Sequence, residues 1–570
     1  MEGEVDENGM VIITNVYGDV CIRKARRKRQ KLLIKELMYD YANNTTLHGL
    51  PYVTRNGLTR LERVVWLIMF LTSVCLCLFL ISKVWYKWQT SPVIVTVSEQ
   101  LVPVSMVPFP SVTICPQSKC KVSVYNFTAK NIQWKKFKYH YRLNGSILNE
   151  TMVKDAAKYY GISQICDIID FSSYSLGEKY RYTDSSIVDN LLEISPDYDD
   201  VFYYCTLNGK GRSCADIFDK VVTSEGICYT MNSLAASDIL RTETIQKDYF
   251  YLNSSKEIKG WSLEHGYSYE NNHSNPSSSY YPMPGMPNRA SPDVEIVLRE
   301  YHVRDKLCNA IRSGFKVYIQ HPTDLPQSSL YYYAVLNSQV SSMALSFSIL
   351  NSSERLRSYD AEIRQCYFPD ERYLKYFKIY TASNCMIECL SNITYEQCGC
   401  VEFYMPHSSS KKICTQYDDD CIETARETML HRESSQGDYV CHCLPSCNSV
   451  DYDAEILKTD YNLQKLIDIY DAIYKIPDKE ELNSYNYSKM EIYFKKPRFL
   501  SMRRSELFGI IDFLSNCGGL LGLFLGFSFL SLMEIIYFLT LRLCCTLKKD
   551  LEEEKNEKLS HGKEIHLEKY

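Results

Sequence analysis

Charge is missing from two stretches of this 570-residue chain, Val64 to Ile81 and Cys517 to Met533. A spanning helix needs about 20 apolar residues. The first run reaches that length by extending to Trp85 around Lys83, and the second by continuing past Glu534 through Ile535 to Leu541. Runs this long and uniformly apolar exclude a chain that is soluble throughout. The mean hydropathy of -0.26 is negative only because the residues between the runs outweigh them. Other absences narrow the function. No glycine-rich phosphate loop precedes a helix, no HExxH appears, and the 11 histidines are scattered. Nothing points to an enzyme, and no catalytic residue, metal or cofactor is expected. The first residues, Met1 to Gly9, are acidic and lack the basic start of a secretory signal. The first span therefore serves as the signal anchor.

Basic residues gather before that span: Arg23, Lys24, Arg26 to Arg29, then Arg55, Arg60 and Arg63. Such flanks favour the cytoplasmic side. Two crossings return the chain to its starting side, so both termini are expected in the cytoplasm of a multi-pass plasma-membrane protein. The expected organisation is a cytoplasmic region 1–63, a first crossing 64–85, an extracellular domain 86–511, a second crossing 512–541 and a cytoplasmic tail 542–570. The basic run lies just before a span, which makes it a membrane flank and leaves no nucleic-acid partner expected. The net charge of -5 averages separate compartments and says little about partners.

The long loop holds 17 of the 23 cysteines, a density that fits disulfides in an oxidising compartment. It also carries glycosylation sequons at Asn126, Asn144, Asn149, Asn253, Asn272, Asn351, Asn392 and Asn486, while those at Asn43 and Asn44 fall on the cytoplasmic side and should stay bare. Phe109 to Pro116 and Gly226 to Asn232 read as strands, each carrying a cysteine. Val294 to Tyr301, Phe315 to Ile319, Leu330 to Leu336 and Met343 to Ile349 are further β-prone runs, and together they imply a β core. Ten cysteines follow between 366 and 447 with nearly palindromic spacing. A nested ladder would explain it: Cys366–Cys447, Cys385–Cys443, Cys389–Cys441, Cys398–Cys421 and Cys400–Cys414. Spacing alone does not fix pairing, and C-x-C pairs can also ligate zinc. The acidic clusters Asp197 to Asp200 and Asp418 to Asp420 are read as solvated surface in preference to proton or calcium sites.

The second run is unusual for an anchor. Gly518, Gly522 and Gly526 recur every four residues and are expected to line one side of a helix, where small residues allow close approach of neighbouring helices. Gly526-Phe527-Ser528 exposes backbone and a hydroxyl in mid-span, groups that can replace an ion's water shell. Glu534 sits in the inner part of the run, where a carboxylate is costly unless it faces water or a partner; it favours cations, and Asp512 does similar work at the outer mouth. One crossing per chain gives too little wall for a pore, so a pore implies an oligomer.

At these residues the chain resembles the degenerin/epithelial sodium channel (amiloride-sensitive sodium channel) family, most closely its insect pickpocket branch. Four motifs carry the resemblance: His48-Gly49 within Asn43 to Gly49, Phe109 to Cys115, the ten-cysteine spacing, and Leu514 to Gly519 continuing to Gly526-Phe527-Ser528 and Glu534. The family implies a trimeric, sodium-permeable channel, often blocked by amiloride. It implies two transmembrane helices around a large disulfide-rich α+β extracellular domain of palm, finger, knuckle, thumb and β-ball, with 366–447 as the thumb-like region. It makes Gly526-Phe527-Ser528 the selectivity filter, with Phe527 bulkier than the usual small residue, and makes His48, Gly49 and Ser515 gating positions. It pairs Cys115 with Cys228 and Cys205 with Cys214, leaving Cys120, Cys166 and Cys308 over. The expected partners are the lipid bilayer, sodium ions and two further subunits, identical or related. An extracellular or mechanical sensory stimulus opens the channel, and mechanical load, protons, peptides and small ligands all fit. The alternatives are a two-span cysteine-rich adhesion or receptor protein, or a non-conducting regulatory subunit of a heteromeric channel.

Overall fold

The computed structural model describes residues 4–5, 11–12 and 32–553, apart from 56, 91–92, 145–149, 167–181, 184–185, 247–255, 269–279, 287–290, 309–311, 329–330, 416–417, 435–440, 476 and 478. The chain forms two compact units: Val95–Ser505, and Met1–Ile94 together with Glu506–Tyr570.

The Val95–Ser505 unit is built on two sheets. Their strands, in chain order, are β1 (Val93–Pro103), β2 (Ser111–Pro116), β3 (Phe202–Leu207), β4 (Lys210–Arg212), β5 (Phe218–Thr223), β6 (Gly226–Met231), β7 (Val294–Tyr301), β8 (Phe315–Gln320), β9 (Tyr333–Val335), β10 (Gln339–Ser352), β11 (Ser449–Asp460), β12 (Tyr485–Phe494) and β13 (Arg498–Glu506). The eight-stranded sheet runs β1-β13-β10-β12-β7-β3-β4, with β11 also on β10. β10 organises it. It pairs antiparallel with β11 from Gln339↔Asp460 to Leu350↔Ser449, and parallel with β12 from Val340↔Lys489 to Leu345↔Phe494. The five-stranded sheet runs β9-β8-β2-β6-β5.

The continuous Val, Thr and Ile content of β2 suits its place in the interior, where all six residues are buried. The hydroxyls it carries inward are satisfied: Ser111 and Thr113 each lie 3.1 Å from the Thr230 hydroxyl on β6. Val104, Phe109, Ile114, Met343, Leu345, Ile492 and Phe494 draw both sheets into one apolar core. The β-prone runs at 294–301, 315–319 and 343–349 fall on strands of this unit, and the run at 330–336 holds the short strand Tyr333–Val335.

Eight disulfides staple the unit. Cys115 is joined to Cys228 across β2 and β6, and Cys205 to Cys214. Cys166 is joined to Cys308, and Cys120 is a buried free thiol. The remaining five lie in the 366–447 region, where a helix spans Ala382–Cys398. The Thr381 side chain accepts from Asn384 N–H at its start, and Gly399, at φ 71°, closes its end. Cys385 and Cys389 stand one turn apart on that helix and bond to Cys443 and Cys441. Cys398, at the helix end, bonds to Cys421 in the first turn of the helix Asp419–Ser434. Cys400–Cys414 and Cys366–Cys447 close the two ends of the ladder. With Cys400 and Cys414 spent on each other, their thiols are not metal ligands.

Candidate functional site

The second unit, formed by the two ends of the chain, holds the site. Arg60–Thr90 is one helix of 31 residues, longer than the bilayer core requires. Leu67, Ile68, Leu71, Leu78 and Phe79 are exposed along it, and Cys77 is its one buried residue. A helix apolar on all sides belongs in lipid or in a protein interior, and these exposed side chains point to lipid. Against it packs Ile510–Leu525. Trp85 and Trp88 meet Phe513 with ring centroids 5.6 and 5.1 Å apart.

The expected continuous second crossing, with Gly518, Gly522 and Gly526 on one helical face, needs correction. The helix Ile510–Leu525 ends at Gly526, which adopts φ 65°, and a new helix begins at Phe529. Gly526 is therefore a cap and not part of a helical stripe. The local sequence dictates the stop and restart. Gly526 N–H bonds to Gly522 C=O at 2.9 Å and Phe527 N–H to Leu521 C=O at 3.3 Å, the paired closure a left-handed glycine permits. Ser528 then caps the next helix: its Oγ accepts from Ser531 N–H at 3.3 Å, while Ser531 Oγ accepts from Ser528 N–H at 3.1 Å. Glycine is required at 526 for a second reason, since a Cβ there would collide with the His48 ring.

The break frees carbonyls in an apolar setting, where each unpaired one is costly. Two receive partners from elsewhere in the chain. Ser73 Oγ, from the middle of the first long helix, donates to Phe524 C=O at 2.7 Å. His48 N–H donates to Leu525 C=O at 2.9 Å. Just before His48, Thr46 docks on the helix after the break. Its hydroxyl lies 2.8 Å from Ser531 Oγ and 3.1 Å from Glu534, and its N–H donates to Glu534 at 3.2 Å. Ser531 is fully buried in this knot. Glu534 thus meets a backbone N–H and a hydroxyl of the same residue, Thr46. Gly49, at φ 91°, turns the segment away beside Phe70. The preceding helix, residues 32–44, is tied to the same region by Tyr41 against Phe538 at 5.2 Å and by Asp40 and Arg542 at 3.5 Å.

His48, Gly49, Gly526, Phe527, Ser528 and Glu534 therefore meet at one place. Asp512 and Ser515 do not join them. They lie near the other end of Ile510–Leu525, both exposed, and Asp512 accepts from Gly509 N–H at 3.0 Å to cap its own helix. Thr46, Ser73 and Ser531 carry the knot and were given no role in the sequence. The available signal was that Ser73 and Ser531 are small hydroxyl residues inside apolar runs and that Thr46 lies two residues before His48-Gly49.

In the Val95–Ser505 unit, Asn126 and Asn351 are exposed, and Asn392 and Asn486 half-buried. Asn144 ends a helix, and Asn149, Asn253 and Asn272 lie outside the described residues. The acidic clusters are already engaged. Asp197 pairs with Lys220 at 2.9 Å, Asp200 with Lys121 at 2.6 Å, and Asp418 accepts from Thr415 N–H at 3.1 Å.

Two apolar crossings, the second broken around a glycine and a serine and held by a segment folded back from the chain's start, define a membrane channel subunit with a large disulfide-bonded domain between its spans. Comparison with known proteins agrees: residues 41–538 match the amiloride-sensitive sodium channel family, and the chain belongs to that family of cation channel subunits. Among its relatives, pickpocket protein 28 of Drosophila melanogaster is 26% identical over 90% of this chain and 79% of that protein. The acid-sensing ion channel 1C of Danio rerio is 23% identical over 88% of this chain and 82% of its own length. The human bile acid-sensitive ion channel is 22% identical over 89% and 86%.

Proposed function

We propose that this chain contributes one of three subunits to a sodium-permeable plasma-membrane channel whose narrowest point is Gly526-Phe527-Ser528. The observation that carries this reading is the break at Gly526. Backbone without regular hydrogen bonds is tolerated at membrane depth where it is buried in protein or lines a water-filled path. Here Thr46, His48 and Ser73 buttress the break from one side, which leaves its other side to face an ion path. Three such breaks around one axis form a ring of hydroxyls and carbonyls suited to a partly dehydrated cation. Phe527 adds bulk beside that ring and tunes which cations pass. Thr46 to Gly49 hold the ring's shape, so His48 and Gly49 set how long the pore stays open. Ser515, at the far end of Ile510–Leu525, lies at the closed gate. The domain between the spans is extracellular, glycosylated, and arranged as palm, finger, knuckle, thumb and β-ball. It receives the stimulus, and both termini face the cytoplasm.

The test is electrical. The chain is expressed alone and with related subunits, and amiloride-sensitive sodium current is recorded. Ser528→Ala should change the sodium-to-potassium permeability ratio, and Gly49→Ser should shorten openings without changing it. Surface-exposed protein that passes no current in any pairing would favour the non-conducting alternatives.

A further inference from the structure

The cysteines outside disulfides differ in their setting. Among the described residues six are free: Cys75, Cys77, Cys120, Cys517, Cys544 and Cys545. Cys120 is sealed in the Val95–Ser505 unit, where burial and the nearby Asp305 charge push its thiol up to about 12. Cys75 and Cys77 lie deep in the first apolar run, Cys75 about 18 Å along the helix from Arg63. Cys517 sits within the glycine-rich helix. Cys544 and Cys545 are unlike these. Both are exposed on the helix Phe529–Glu553, where its apolar run gives way to charged residues. Arg542, the first charged residue after Glu534, stands just before them, and Lys548 and Lys549 follow. They come three and four residues after the exposed Leu541, so they share its side of the helix. Two accessible thiols therefore stand where an apolar helix surface gives way to a basic one.

We propose that Cys544 and Cys545 form an S-acylation site that takes a long-chain fatty acyl group. The chemistry needs a thiol at the membrane–water boundary, next to a surface that can accept the chain. The proposal rests on reading this helix as a membrane crossing that ends in the cytoplasm, where acyl-coenzyme A is available. In the transfer, the cysteine sulfur attacks the acyl thioester carbonyl. A new carbon–sulfur bond forms as the bond to the coenzyme A sulfur breaks, and the cysteine proton ends on the coenzyme A thiol. No oxidant or reductant takes part. Arg542, Lys548 and Lys549 draw anionic head groups and the phosphates of acyl-coenzyme A to the same spot. The acyl chain, lying in the leaflet, fixes the depth of the helix that carries Ser531 and Glu534, and so of the knot that grips Thr46.

The full-length chain is expressed in cells fed an alkyne-tagged palmitate, captured, and coupled to a fluorophore. The expected result is a hydroxylamine-removable label on the wild-type chain. It should fall at least tenfold in the double variant Cys544→Ala, Cys545→Ala and stay unchanged in Cys75→Ala. Peptide mapping of the wild-type protein should place the acyl group on Cys544 or Cys545, independently of how the variants fold. An unlabelled wild-type chain, or label retained by the double variant, overturns the proposal. An epitope tag after Tyr570 separates this from the topology. A tag that antibody reaches only after permeabilisation, on a chain that takes no label, sinks acylation alone. A tag reached on intact cells sinks the topology first.

Discussion

Gly526 carries two demands at once, a left-handed backbone and room for the His48 ring. A side chain there would bear both penalties. The backbone part is about 1–2 kcal/mol, and the steric part depends on whether His48 can move. Gly526→Ala should therefore lower current per surface channel, and adding His48→Ala should restore the steric part and leave the backbone part. Recordings of the two single variants and the double variant measure this; effects that simply add would mean the two residues do not meet. Glu225 shows a different dependence. Burial by itself would raise its carboxyl, but Lys119 at 2.8 Å and Lys316, both on buried stems, outweigh that and hold it at about 2. A carboxylate whose pKa is depressed on folding adds stability above its ordinary value of 4.5, and loses it as pH falls toward 2. Glu225→Gln removes the carboxylate that two buried lysines share, a loss of roughly 3–5 kcal/mol by analogy with broken buried pairs. The purified variant should melt at lower temperature at neutral pH and show a flatter acid dependence between those two values.

At the scale of elements, the ladder and the broken helix were legible to different degrees. Cys385 and Cys389 stand four apart, a spacing that shares one helix face, and their partners Cys443 and Cys441 follow in reverse order; the palindromic spacing suggested that nested order without fixing it. The glycine spacing misled for a related reason. Gly518, Gly522 and Gly526 fit a helical period, yet Gly526 followed by Ser528 and Ser531 is also a cap followed by a start, and the capping hydrogen bonds decided it. The knot at Thr46 was not legible. Its contacts join residues nearly 500 positions apart through a backbone N–H and small hydroxyls, groups that leave no periodic trace. Ser515 tests the element they stabilise. It is exposed on Ile510–Leu525, eleven residues before the break. In the proposed three-chain channel a valine there should crowd the closed ring and relax when the ring widens, at about 1–3 kcal/mol per copy for overpacking. Ser515→Val should give standing cation current without stimulus. Ser531→Val should not, because Ser531 is buried in the knot and its loss should weaken conduction instead. Matching standing currents from both would place the gate at neither.

At the scale of the whole molecule, the glycine-rich helix has a surface that one chain does not use. A Cβ added at Gly518 or Gly519 would meet nothing within 4 Å, so no contact among the described residues requires glycine at either place. Glycine inside a helix costs about 1 kcal/mol relative to alanine. Two adjacent glycines therefore forgo helix stability without return among the described residues, and the use we assign them is close packing against neighbouring copies. Substitutions of graded size separate the possibilities. In a lone subunit, Gly519→Ala and Gly519→Leu should both be accommodated, since the space is open. In a three-chain assembly the alanine should be tolerated or mildly disruptive, and the leucine should push the copies apart. Cross-linking of surface protein, followed by native-size separation in detergent, should then show three-chain particles for the wild type and smaller species for Gly519→Leu. The disulfide-bonded domain should stay folded in both, as judged by unchanged glycosylation and non-reducing mobility. If Gly519→Leu assembles like the wild type, these glycines do not pack subunits together. If the wild type itself yields single chains at every concentration tested, the pore built from three broken helices has no ring to stand in.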